Sequence, residues 1–280
     1  MLPENYLSER VDFNTHQYAL VDRILFEKLP ESFPAIELVT PLTAPQAKLY
    51  PWLIPLREMS GSQWRDLISD IQLANEPDKM PMICLFLKSE LPPDAIKNSL
   101  LNMMIVIDEG RQKHLLRFYD PRVLFHIHWM LSSWEFRSRF NTREIPCWTF
   151  WLEGKWHSLV FEQSLPSDTD ASRFSFKQIQ RIGLINKVMA ELPQDIDIAS
   201  RQENSRRIDS ILKQCPLISE ADKIALATQG IIYGSEFWKT EVITGLLNES
   251  ISEPGYYARI TSSWKETDWQ ELLYKDNQRT

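Results

Sequence analysis

Glycine is scarce in this sequence, with 8 glycines among 280 residues, well below the usual share of about 7%. Neither glycine-rich phosphate-binding pattern, G-x-G-x-x-G or G-x-x-x-x-G-K-[ST], occurs anywhere in the chain. The sequence therefore gives no support to a dinucleotide-binding or P-loop nucleotide-binding protein.

Cysteine is also rare. Cys84, Cys147 and Cys215 lie far apart, and no C-x-x-C pair is present. A sparse, odd set of cysteines is typical of a reducing compartment rather than of a disulfide framework, and the spacing indicates no zinc ribbon.

Long apolar runs and a basic charge balance are missing too. No apolar run approaches the roughly 18 residues of a membrane span, and the N-terminus, MLPENYLSERVDF, has no signal-peptide core. The formal net charge of −7 argues against a nucleic-acid partner, because phosphate binding needs a basic patch. We expect a cytoplasmic protein with neither a membrane nor a nucleic-acid partner.

The common catalytic and metal-binding patterns are absent as well, since neither G-x-S-x-G nor H-E-x-x-H occurs. His126 and His128 lie two positions apart in a helical pattern, which separates them by about 200° around the helix axis. We therefore expect no metal site, no cofactor and no catalytic residue.

What is present is an ordinary globular composition, 43% hydrophobic and 25% charged, with strand-like and helix-like segments alternating in the first half. This alternation predicts an α/β or α+β lobe with a small mixed sheet and flanking helices. The predicted strands are the short apolar runs at 17–22, 35–40, 49–56 and 82–88. The predicted helices begin after Ser60, where Gln63 completes a capping-box pattern, and at Pro92 or Pro93.

The second half changes character. Residues 147–161 predict a hairpin that turns at Glu153-Gly154, and a segment rich in Pro, Ser, Asp and Thr follows. We place the N-terminal lobe at 1–162, a linker at about 163–174, and an all-helical C-terminal lobe at 175–280. One of its helices is predicted to start after a Ser219 cap and to run through Val242.

The stretch HLLRFYDPRVLF, residues 114–125, joins a predicted strand to a predicted helix. In a strand, Leu115, Arg117 and Tyr119 would share one face. Asp120 followed by proline is typical of a helix start, with Asp120 as the N-cap and Arg117 or Arg122 balancing its charge. The alternative is that Arg117, Tyr119 and Asp120 bind an anion or transfer protons, because ligands bind at strand ends in many α/β folds.

Tryptophan is unusually frequent near the predicted hairpin, which carries Trp148, Trp151 and Trp156. A further tryptophan, Trp238, lies in the helical half. Core packing is one interpretation of these residues. The other is a protein interface, where tryptophan is favoured.

Four segments resemble the type VI secretion effector chaperone or adaptor family, known as Tap or Tec and formerly a domain of unknown function. They are YALVD, YPWLIPL, LFLKSELPPDAIKNSLLNMMIV and LLRFYDPRVL, and the resemblance covers roughly residues 16–160. The chain departs from the family pattern by an extra Pro51-Trp52. The most specific part is the uninterrupted RFYDPRVL at 117–124.

The resemblance implies a non-catalytic cytoplasmic chaperone or adaptor. Such a protein binds the N-terminal region of a toxic effector, or an adjacent PAAR-type tip, and helps load the effector on the VgrG spike. It also implies that Arg117, Tyr119, Asp120 and Arg122 stabilise a junction or support a protein-binding surface. Two alternatives remain open, namely an enzyme that uses Arg117, Tyr119 and Asp120 on a small anion, and an immunity-type protein that neutralises a toxin.

Overall fold

A computed structural model describes residues 7–8, 11–26, 28–30, 33–41, 43–73, 81–131, 133–161, 176–193, 196–234 and 237–277. The chain divides into two compact units, Met1–Phe176 and Lys177–Thr280. The first contains the sheets and the second is all-helical, which confirms the predicted fold class. The predicted linker at 163–174 lies outside the described residues.

The N-terminal unit contains nine strands and four α-helices among its described residues. The strands are β1 (Leu7–Ser8), β2 (Tyr18–Val21), β3 (Ile36–Glu37), β4 (Trp52–Pro55), β5 (Leu85–Lys88), β6 (Ile105–Ile107), β7 (Lys113–Leu115), β8 (Cys147–Leu152) and β9 (Lys155–Val160). The helices are α1 (Gly61–Leu73), α2 (Pro93–Met103), α3 (Pro121–Met130) and α4 (Ser133–Phe140).

Seven strands form one sheet in the order β1-β9-β8-β5-β2-β4-β3, and β6 and β7 form a separate two-stranded sheet. Every strand pair in the described residues is antiparallel. The expected mixed sheet is therefore wrong. The two strands that α1 connects, β4 and β5, run in the same direction but are not neighbours. Strand β2 lies between them and pairs antiparallel with both.

Short sequence patterns determine where one helix begins and where one hairpin turns. The backbone N–H of Ser60 donates to Gln63 Oε1 at 2.6 Å, and Gln63 N–H donates to Ser60 Oγ at 3.3 Å, which is a reciprocal capping box before α1. Glu153 and Gly154 both have positive φ, 49° and 79°. This matches the two-residue turn that the twist of a hairpin favours, and it joins β8 to β9.

The large sheet carries apolar side chains on both faces. Phe86 packs in a buried cluster with Leu67 and Ile71 of α1. Leu87, the next residue, points to the other face and lies opposite Trp148. On that face the Trp148 ring contacts the Phe118 and Phe140 rings edge to face.

The predicted helix after Pro121 is two helices, because the chain turns extended at Leu131, where α3 ends. Phe125 and Ile127 of α3 are buried, as are Phe136 and Phe140 of α4. Both helices therefore bury apolar side chains within the N-terminal unit.

The helical part comprises α5 (Phe176–Gln180), α6 (Ile182–Ala190), α7 (Ile198–Gln214), α8 (Glu220–Ile232), α9 (Glu241–Ser252), α10 (Tyr256–Thr261) and α11 (Glu266–Asn277). Ser219 caps α8 by accepting from Asp222 N–H. The helix ends at Ile232, so the predicted extension through Val242 is wrong. Gly234, with φ of 93°, redirects the chain shortly after α8. None of the helices in the described part of the chain has both the length and the apolar character needed to cross a bilayer.

Candidate functional site

The RFYDPRVL block lies where the chain leaves β7 and enters α3. The strand ends at Leu115, earlier than predicted, and residues 118–119 form a turn in which Asp120 N–H donates to Arg117 O at 3.0 Å. The expectation that Leu115, Arg117 and Tyr119 share a strand face is therefore wrong, since the strand alternation stops before Arg117.

Asp120 is the N-cap residue of α3, and Pro121 occupies the first helical position. Asp120 Oδ1 accepts from Arg122 N–H and from Arg122 Nε–H, both at 3.0 Å, and Asp120 Oδ2 accepts from Arg122 Nη2 at 2.8 Å. The hydrogen bonds and charge of Asp120 outweigh burial and raise the pKa of Arg122 above its ordinary value. One carboxylate thus caps the helix and binds a guanidinium through two of its nitrogens.

Arg117 forms its ion pair with a residue that the sequence analysis did not single out, Asp22 at the end of β2. Arg117 Nη2 donates to Asp22 Oδ2 at 2.5 Å, and Asp22 is only 2% exposed. Burial lowers the pKa of Arg117, but the charge of Asp22 leads the opposing effects, and the pKa lies above its ordinary value. Arg117 Nε is buried and has no acceptor among the described residues.

The same Asp22 carboxylate also shapes the turn that follows β2. Its Oδ1 accepts from Ile24 N–H at 3.0 Å, and its backbone carbonyl accepts from Leu25 N–H and Phe26 N–H. Asp22 therefore ties the turn at 23–25 to Arg117, which lies 95 residues further along the chain.

Tyr119 is buried, and its hydroxyl donates to the carbonyl of Leu49 at 2.8 Å. The guanidinium carbon of Arg117 lies 5.6 Å from the centre of the Tyr119 ring, within cation–π range. Burial raises the pKa of Tyr119, and burial together with the charges of Asp120 and Asp22 raises the pKa of the neighbouring Cys84 thiol. Neither group is disposed to lose its proton near neutral pH.

The two ion pairs share one electrostatic arrangement. In the Asp22–Arg117 pair the carboxylate side chain is 2% exposed and the guanidinium side chain 33%. In the Asp120–Arg122 pair the values are 7% and 54%. Since both acids are buried and both bases are partly exposed, the junction presents positive charge to its surroundings although the four charges sum to zero.

The tryptophans proposed as interface residues lie mainly in the cores. Trp148 and Trp151 are buried, so the interface interpretation is wrong for these two. Trp156 is half-buried against Phe13 and Phe86 in the sheet cluster. Trp238 is half-buried against the apolar core of the helical unit. Trp148, Trp156 and Trp238 each make an edge-to-face aromatic contact inside their own unit.

His126 and His128 are both buried in α3. Across the residues that the structure describes, no group of three or more His, Cys, Asp or Glu side chains is placed to hold a metal ion.

Asp22 accepts from Ile24 N–H in a local turn, but its pairing with Arg117 has no local signal in the sequence. An aspartate after an apolar strand looks like an ordinary strand end, and its partner is distant in sequence. Only the pairing of β2 with β5, and the route of the chain from β7 into α3, bring the two charges together.

Together, these features define an α+β protein with a polar strand-to-helix junction in its N-terminal unit and a separate helical unit. Residues 17–138 match the model of a family described as a domain of unknown function, DUF4123. The match covers less than half of the chain, but it contains β2 to β7, α1 to α3 and all the charged residues of the junction. No curated protein and no solved structure matches the chain significantly.

Proposed function

We propose that this chain is a non-catalytic cytoplasmic chaperone or adaptor, which binds a type VI secretion effector and helps load it on the VgrG spike. The observation that carries the proposal is the family match at 17–138. The matched segment contains the uninterrupted RFYDPRVL block, and that block resembles the type VI adaptor family.

The geometry of the block supports a role without catalysis. The Tyr119 hydroxyl donates a hydrogen bond to a backbone carbonyl oxygen, and Asp120 caps a helix. Arg117 forms an ion pair with a buried carboxylate. A group that transfers protons or stabilises a reacting anion needs to reach the substrate. Here the acids are buried and bonded, which favours the role of a rigid junction over acid–base work.

We further propose that the effector binds through its N-terminal region, and that a VgrG or PAAR-type spike protein is the second partner. In this proposal the helical unit serves the choice of the individual effector, a role that suits the more variable helical lobe of the family that the sequence resembles.

Co-expression tests the proposal and separates it from an immunity role. The full chain is expressed with the complete effector, with the effector lacking its N-terminal region, and with the toxin domain alone. We expect a soluble complex with the complete effector only. Neutralisation of the isolated toxin domain would indicate an immunity protein instead, and absence of a complex with any form would refute effector binding.

A further inference from the structure

Two aliphatic side chains are exposed beside the Asp22–Arg117 ion pair. Ile24 is 46% exposed and Leu25 is 47% exposed, and both belong to the turn that follows β2. The backbone N–H of Ile24 and the guanidinium of Arg117 bind the two oxygens of the same Asp22 carboxylate. A buried acid therefore holds a turn with two exposed aliphatic side chains next to a basic side chain.

Arg122 extends the basic part of this surface. Asp120, which binds Arg122, also donates its backbone N–H to the carbonyl oxygen of Arg117 at 3.0 Å, and the charge of Asp22 contributes to raising the pKa of Arg122. The two ion pairs therefore lie within electrostatic range of each other. Arg122 binds Asp120 through Nε and Nη2, which leaves Nη1 for an acceptor outside the cluster.

We propose that Ile24, Leu25, Arg117 and Arg122 form a docking surface, here called the basic–aliphatic patch, for a polypeptide segment with a carboxylate side chain beside an apolar one. That the segment belongs to the effector rests on the proposed function. The patch contrasts with the chain as a whole, whose net charge is −7. An acidic segment is thus attracted at the patch and repelled by much of the remaining surface.

The expected strength of this contact is moderate. Asp120 already neutralises much of the charge of Arg122, so a partner carboxylate meets a partly compensated base. For that reason we expect loss of the Arg122 charge to weaken binding about tenfold, in the range of a contact at an interface rim rather than of a buried hot spot.

Site-specific photocrosslinking tests where the partner lies. A photoreactive amino acid replaces Leu25 in the full chain, expressed in its native host, and the crosslinked peptide is identified by mass spectrometry. The same amino acid at Ile107, which is 56% exposed and lies on β6 of the same unit, is the matched control. We expect crosslinks from position 25 to an effector segment that contains Asp or Glu next to an apolar residue.

Charge removal tests the basic part of the patch. Arg122→Gln removes the guanidinium but keeps the backbone N–H that Asp120 caps, so the start of α3 is retained. Arg57→Gln is the control, because Arg57 is an exposed base paired with Glu90 elsewhere in the unit. The measured quantity is the affinity for the effector identified by crosslinking, with the melting temperature of each variant as the check on folding. We expect about a tenfold loss for Arg122→Gln and less than a twofold change for Arg57→Gln.

The outcomes separate this inference from the proposed function. If the wild-type chain binds its effector but position 25 crosslinks no better than position 107, or Arg122→Gln binds as well as wild type, the patch is refuted and the adaptor role stands. A crosslink to a second copy of the chain, or to a segment without acidic residues, also refutes the patch as proposed. Failure of the wild-type chain to bind any effector would refute the proposed function itself.

Discussion

Replacing Asp22 with alanine is the most informative single change in the N-terminal unit, because this carboxylate holds two distant parts of the chain. The substitution removes the ion pair with Arg117 and the hydrogen bond from Ile24 N–H. It leaves the guanidinium with a buried Nε that already has no acceptor among the described residues. We expect the free energy of unfolding of this unit to fall substantially.

The magnitude follows from the burial of the two partners. Removing one member of a fully buried ion pair costs about 3–5 kcal/mol, but Arg117 is 33% exposed, so water can solvate part of the charge left behind. We reduce this contribution to about 2 kcal/mol and add about 1 kcal/mol for the hydrogen bond to the turn. The expected loss for Asp22→Ala is therefore about 3 kcal/mol.

A double-mutant cycle isolates the ion pair. Arg117→Met removes the charge while keeping an apolar stem, and the double variant leaves no unpaired guanidinium. We expect the two substitutions together to cost about 1.5 kcal/mol less than the sum of the single losses. Arg57 and Glu90, both well exposed, provide the control pair, for which we expect a coupling below about 1 kcal/mol.

The assay is urea-induced unfolding of the full chain, with hydrogen exchange of peptides from β2 and α3 reporting on the N-terminal unit. If Asp22→Ala lowers stability by less than about 1 kcal/mol, or if the coupling with Arg117 does not exceed that of the exposed control pair, the Asp22–Arg117 pair does not hold the junction together.

Three further predictions concern other parts of the N-terminal unit. Asp120→Ala should lower stability by about 1–2 kcal/mol in urea unfolding through loss of the helix cap, whereas Asp120→Asn, which keeps a capping oxygen, should cost less than half as much; equal losses would contradict the capping role. Gly154→Ala should cost about 1 kcal/mol by placing a Cβ on a residue with φ of 79°. An unchanged melting temperature would contradict the positive φ of this residue. Burial, with a contribution from Lys155, lowers the pKa of His157 to about 4. The unfolded chain therefore binds the proton more readily between about pH 6.5 and 4, and stability should fall by up to about 3 kcal/mol as the pH drops through this window. His157→Gln should flatten that dependence, and an unchanged slope would be the contrary result.

Short-range signals predicted the element ends that the structure contains. The Asp120-Pro121 pair predicted the start of α3, and Glu153-Gly154 predicted the turn between β8 and β9. Ser60 and Gln63 predicted the cap of α1. In each case the interacting atoms lie within a few residues of one another, so the sequence pattern contains the whole interaction.

Long-range features were not predictable in the same way. The alternation of strands and helices did not reveal that β2 lies between β4 and β5, because strand order depends on pairing between distant segments. The partner of Arg117 was missed for the same reason. The end of β7 at Leu115 was also missed, since the apolar pattern of 115–119 continues although the backbone turns.

The burial of the aromatic residues could not be predicted from the sequence, for a different reason. A tryptophan-rich hairpin has the same composition whether its rings face a core or a partner. Trp148 and Trp151 face the core, and the exposed large apolar residues of the described chain are aliphatic, among them Ile24 and Leu25. Ile24 and Leu25 lie in a turn that local hydrogen bonds to Asp22 organise, but the exposure of their side chains depends on how distant segments pack around this turn.

The most direct test of the proposed adaptor role is quantitative affinity purification of the full chain from its native host. The cells should express the type VI secretion genes, and mass spectrometry should measure the amount of each co-purified protein. We expect an effector or a VgrG protein in near-stoichiometric amount, and we expect it to be lost when the N-terminal region of the effector is deleted. Recovery of the chain alone from such cells would contradict the adaptor role.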